Sequence, residues 1–163
     1  MTPYPRQLFR FFCTLGCLLL FGCAVPNHHS RQEQVHHMGH HVMPFDLSKT
    51  LHIFRMTESG GVQQVVVRDG ADTEQIALIR KHLQVEASAF QRGDFADPAK
   101  VHGAEMPGLK ELQQGAGQIK VSYADLPNGA EIIYATSDLR MLTAIHRWFG
   151  AQLSEHGRDA MAE

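Results

Sequence analysis

The chain predicts an α+β fold: two β-hairpins forming one antiparallel sheet, covered by two long amphipathic helices. Three observations predict it. Two strand-like stretches are each broken in the middle by turn chemistry. Each is followed by a capping residue and an apolar stripe at helical spacing. An irregular segment rich in Gly, Pro and acid separates the two halves, so the order reads ββα, insert, ββα.

The first hairpin starts at Thr50. His52, Phe54 and Met56 alternate with Leu51 and Ile53, the period of a strand. Thr57 to Gly61 carries the turn, and Val62 to Arg68 is β-branched and returns. Asp69-Gly70 breaks the strand. Asp72 or Thr73 caps a helix running to about Arg92, with Gly93 as its stop. Asp97-Pro98 opens a short helical turn that Gly103 ends, and Pro107 opens another through about Gln114. Ile119, Val121 and Tyr123 begin the second hairpin. Pro127-Asn128-Gly129 is its turn, and Glu131 to Thr136 its return strand. Ser137 or Asp138 caps a last helix to about His156, stopped by Gly157.

The N-terminus predicts export. Arg6 and Arg10 precede an apolar run from Phe11 to Phe21, too short for a stable membrane span. The ending Leu20-Phe21-Gly22-Cys23 resembles the lipobox of bacterial lipoproteins. That resemblance implies acylation at Cys23 and attachment to the periplasmic face of a membrane. Ala24 after the cysteine, rather than Asp, favours the outer membrane. The expected organisation is a signal peptide over 1–22, a lipidated His-rich flexible tether over 23–43, one domain over 44–157 and a disordered tail over 158–163.

Composition narrows the chemistry. Cys13, Cys17 and Cys23 all lie in the leader region, so the folded part has no thiol for catalysis, disulfides or cysteine metal sites. Removing the leader takes Arg6 and Arg10 from 15 Lys and Arg, leaving 13 against 17 Asp and Glu, a net −4. No basic patch invites nucleic acid. A Gly-rich phosphate loop, a Gly-x-Ser-x-Gly elbow, a His-Glu-x-x-His and a Cys-x-x-Cys-His are all missing, and the chain is not expected to be an enzyme.

Histidine carries the functional signal. His28, His29, His36, His37, His40 and His41 crowd the tether together with Met38 and Met43. Imidazole suits copper, nickel and zinc, and thioether suits Cu(I). A tract of this composition cannot bury a core and is expected to be unstructured without a ligand. In the domain, His82 and Glu86 fall inside the apolar arc of the first long helix, four residues apart. A charge there must be paired, protonated or bound to metal. His102 and Met106 in the insert are further ligand candidates, and His146 on the last helix is a lower-ranked one.

The expected function is transition-metal binding, buffering or delivery, copper first, with a membrane anchor and a periplasmic partner protein. The alternatives are a structural or interaction lipoprotein, a small His82/Glu86-dependent enzyme and a noncovalent haem binder. The stretch from Met43-Pro44-Phe45-Asp46 to Trp148-Phe149-Gly150-Ala151-Gln152-Leu153 resembles small exported bacterial proteins that carry the label aspartate carbamoyltransferase. That enzyme family needs about twice this length, a Ser-Thr-Arg-Thr phosphate loop and a His-Pro-x-Gln segment. The chain has none of these.

Overall fold

The computed structural model describes the backbone of residues 28–163 and side chains from Ser30 onward. Cys23 and the side chains of His28 and His29 lie outside these described residues. The fold is α+β. Five helices, α1 (His28–Gly39), α2 (Thr73–Gln91), α3 (Ala96–His102), α4 (Leu109–Gln114) and α5 (Leu139–His156), accompany five strands. The strands are β1 (Thr50–Thr57), β2 (Gly60–Val67), β3 (Lys120–Leu126), β4 (Gly129–Ala135) and β5 (Ala160–Ala162). Among the described residues, no helix is long and apolar enough to cross a membrane.

The strands form one sheet in the order β3-β4-β2-β1-β5. Each expected hairpin is present, and β2 pairs antiparallel with β4 to join them. The sheet is mixed rather than purely antiparallel, because β5 runs parallel to β1 with His52 opposite Ala160. Residues 158–163, expected as a loose tail, therefore close one edge. Backbone pairing to an open edge orders a segment whose side chains alone would not.

The first turn is tighter than expected: β2 already begins at Gly60. A Cβ there would stand 1.9 Å from the Tyr134 carbonyl oxygen, and one on Gly61 would stand 2.4 Å from Phe149. The hairpin tip is thus glycine because β4 and α5 close on it. Asp72 and Asp138 cap α2 and α5, each accepting from backbone N–H groups of the first turn. The insert differs by a residue or two. α3 starts at Ala96, and α4 starts at Leu109 rather than Pro107, behind a left-handed Gly108.

The core lies between the sheet and the helices. α2 rests on β3 and β4, and α5 on β1 and β2. Phe54, Val65, Ile132 and Tyr134 from the strands meet Ile79, Leu83, Phe90, Trp148 and Phe149 from the helices. Burying side chains of this size is worth about 1.5–3 kcal/mol each.

Within the segment expected as a flexible tether, His28–Gly39 folds as α1 against α5 and α3. Its helix is not amphipathic, and among its described side chains only Val35 is fully buried. Polar partners hold it. Arg31 donates to Glu155 at 2.8 Å and to the His102 carbonyl at 2.6 Å. Gln32 donates to the Ser154 carbonyl at 3.0 Å, and His36 to Asp159 at 2.7 Å. Tertiary docking overrides the weak intrinsic helicity of the tract.

Candidate functional site

A chamber of about 50 Å³ lies beneath the sheet, walled mainly by apolar side chains, and four elements bring polar groups to it. β1 brings His52, whose place in the strand alternation points it inward beside Phe54. α2 brings His82 and Glu86, one turn apart. α3 brings Asp97 and His102, and α5 brings Trp148, Gln152 and His156. Phe45 edges onto the His82 ring at 5.7 Å. His52 stacks on His156 at 5.0 Å, and His102 meets His156 edge-on at 4.9 Å. A volume of this size admits a few waters, or an ion with water, but not a macrocycle. Haem therefore does not fit the chamber.

Burial sets the protonation states. Glu86 is 8% exposed, and burial, helped by the neighbouring Asp97 charge and a hydrogen bond to Asp97, pushes its carboxyl up to about 8. Near neutral pH Glu86 carries a proton and shares it with Asp97. Burial pulls His52 down to about 4, against a backbone hydrogen bond and charge from Asp159. It also pulls His156 well below the usual imidazole range and lowers His82. These imidazoles stay neutral, the form that binds metals.

Hydrogen bonds fix the ring orientations. His52 bonds the Asp159 backbone, while its Nδ1 is buried without a partner. The buried Trp148 Nε1 also lacks a partner. His156 Nε2 donates to Gln152 at 3.0 Å. His102 Nδ1 donates to Glu155 at 2.8 Å. Burial alone would raise Glu155, but hydrogen bonds from His102 and Arg31 hold its carboxyl below the usual range.

Outside the chamber, α1 carries its own imidazoles. His36 and His40 are one turn apart, with their Nε2 atoms 3.2 Å from each other. His36 Nδ1 is held by Asp159. His37 and His41 form a second pair, ring centroids 5.2 Å apart. His156 lines both the chamber and an open groove bordered by Glu33, His36 and Asp159.

The expected domain ligands divide. His82, Glu86 and His102 reach the same chamber. Met106 does not: it is 5% exposed and packs in the apolar core. Glu86 takes Asp97 as its hydrogen-bond partner, eleven residues on across the turn between helices. His146 Nε2 donates to the carbonyls of Thr57 and Gly60 at 3.1 and 2.9 Å and pins the hairpin turn. Met38 lies on α1, half-buried. Among the described residues, no group of three or more His, Cys, Asp or Glu stands in metal-coordinating geometry.

No family model, curated protein or solved structure matches the chain.

The sequence does not single out His52, Asp97 as a carboxyl partner, Trp148 or Asp159 as site residues. One signal was available: His52 is a polar residue on the strand face it shares with Phe54, the same anomaly that marks His82. Nothing local marks Asp97 or Asp159, whose partners come from other elements.

Proposed function

We propose that the protein is a lipid-anchored binder of transition-metal ions, copper first and nickel or zinc after it, that captures the ion on α1 and hands it on. The observation that supports this is the His36–His40 pair. Two nitrogens each about 2.0–2.1 Å from one ion stand about 2.9–3.4 Å apart for angles between square and tetrahedral. The Nε2 atoms already lie 3.2 Å apart. Without metal this contact is a hydrogen bond, and an ion takes the place of its proton. Asp159 behind His36 is the carboxylate partner that orients a metal-binding imidazole and raises its basicity.

Two protein ligands leave the other positions to water or to a partner protein. Such an open site exchanges its ion, unlike a closed structural one. Because α1 is docked before the ion arrives, binding does not have to order a loose chain, which favours affinity. Acid opposes binding, since protons compete for the same nitrogens.

Calorimetric titration of the purified chain with Cu(II), Ni(II) and Zn(II) tests the reading. Replacing both His36 and His40 by Ala should weaken binding at least tenfold. Asp159→Asn should weaken it about 10–100-fold, as loss of an orienting partner does. Equal affinity in wild type and the double variant, or no binding by wild type, overturns it in favour of a lipoprotein without a metal role.

A further inference from the structure

The helices α2 and α5 cover one face of the sheet, the face that carries Phe54, Val65 and Ile132. Strand alternation puts Leu51, Ile53, Val62, Val66, Ile133 and Met161 on the opposite face. None of these six belongs to the core cluster. An antiparallel sheet with one solvated face normally shows polar side chains there. Here the apolar ones are neighbours across the strands: Ile133 stands opposite Val62, Val66 opposite Leu51, and Ile53 opposite Met161. A contiguous apolar patch of this kind marks an interaction surface.

Its size suits a second sheet. β1 to β4 are seven or eight residues long. At about 4.8 Å between strands and about 3.3 Å per residue, they offer a face of roughly 450 Å². Two such faces in contact bury roughly 900 Å² counted flat, and more once side-chain relief is included. That reaches the ~1,000 Å² a specific interface needs. Its position suits protein rather than lipid. α1, through which a lipid on Cys23 would hold the body, packs on the helical layer against α5 and α3. The bare sheet face lies on the other side of the molecule from that layer.

We propose that this face is the interface of a two-fold dimer, in which two copies of the chain pack sheet on sheet and Arg55 of each meets Glu131 of the other. The charge pattern carries the choice of a second copy. Arg55 lies opposite Val62 on one side of β2, and Glu131 lies opposite Gln64 on the other side, one row along. A two-fold axis lying in the face and crossing β2 between Val62 and Gln64 brings each arginine over the other copy's glutamate. One operation therefore makes both pairs, as an isologous contact requires. Glu131 accepts from Gln64 at 2.9 Å and has no ion pair of its own among the described residues. Arg55 is 45% exposed, and its ion pair is with Glu163, the last residue, at 3.5 Å. Both charges are thus available to a partner. The apolar rows supply the burial, and the paired charges fix the register.

Sedimentation of the full chain carrying Cys23→Ser, which removes the lipid, tests the proposal without metal. The expected species at about 10 μM is a dimer. Ile133→Lys should give a monomer, and it is tolerated in the fold because the same face already carries Arg55 in the next strand but one. Arg55→Glu and Glu131→Arg should each weaken the dimer at least tenfold. The two together in one chain should restore it, because the pair is then reversed rather than lost. Arg55 and Glu131 are separated by β2, so a swap within one copy does not pair them. A chain that stays monomeric at about 100 μM overturns the dimer. So does a dimer that Ile133→Lys leaves intact, which then uses another surface, and so does a double variant as weak as the single ones. A monomer that instead floats with anionic phospholipid vesicles, and loses them with Ile133→Lys, gives the face to lipid and overturns the dimer as well.

Discussion

Burial acts on Glu86 and on His52 in opposite senses, and the chamber's behaviour with pH follows from that opposition. Glu86, up at about 8 from 4.5, keeps a proton in the fold that the unfolded chain releases. Its contribution is present below 4.5 and is lost as pH rises toward 8. His52, down at about 4 from 6.5, refuses a proton that the unfolded chain accepts. Its contribution is present above 6.5 and is lost as pH falls toward 4, and the lowered His82 and His156 act in the same direction. Stability of the metal-free protein should therefore peak near pH 6.5. Between pH 6.5 and 8 only the carboxyl acts, at about 1.4 kcal/mol per pH unit, so the loss is roughly 2 kcal/mol. Urea unfolding at pH 6.5 and 8.5 measures it. Glu86→Gln should abolish the alkaline decline, and a variant that declines as wild type does would assign the slope to another group.

At the scale of elements, α1 is the decisive case. A twelve-residue helix with one buried apolar side chain is marginal in isolation. It stands because α5 and the chain after it present Glu155 and Asp159 to Arg31 and His36. Partly exposed polar contacts of this kind are worth little singly, so the fully buried Val35 should carry much of the docking. Val35→Ala is expected to cost roughly 1–3 kcal/mol, and the cost should fall locally. Amide exchange should speed up through α1 and remain slow in α2. Unchanged protection of α1 would mean that the polar contacts suffice without Val35. β5 is the counterpart at the other end of the chain. Three residues are enough because β1 offers a ready row of backbone partners, and their pairing holds Asp159 beside both His36 and His52.

At the scale of the molecule, the lipobox-like leader and the docked α1 bear on each other. A lipid on Cys23 would leave only four residues before α1 begins at His28, so the folded body would sit close to the bilayer surface. Cys23→Ser should move the protein from the membrane fraction to the soluble periplasmic fraction while leaving its fold and metal affinity unchanged. Retention in the membrane, or mature protein without an acyl group on Cys23 by mass spectrometry, would refute the anchor.

Both hairpins, the two long helices and their Asp caps were legible in the sequence because each is written in neighbouring residues: alternation, turn chemistry, apolar stripe. Periodicity also exposed His82 and Glu86, since a polar group inside an apolar arc needs no partner to be conspicuous. Three things were decided only by the tertiary structure. α1 became a helix through carboxylates more than a hundred residues away. Met106 left the ligand set because a thioether packs in a core as readily as it binds copper. His52, Asp97 and His156 joined His82, Glu86 and His102 in one chamber through the meeting of a strand and three helices. Local patterns are set by interactions along the chain, whereas a buried site is set by which faces meet, and that is fixed only when the core closes.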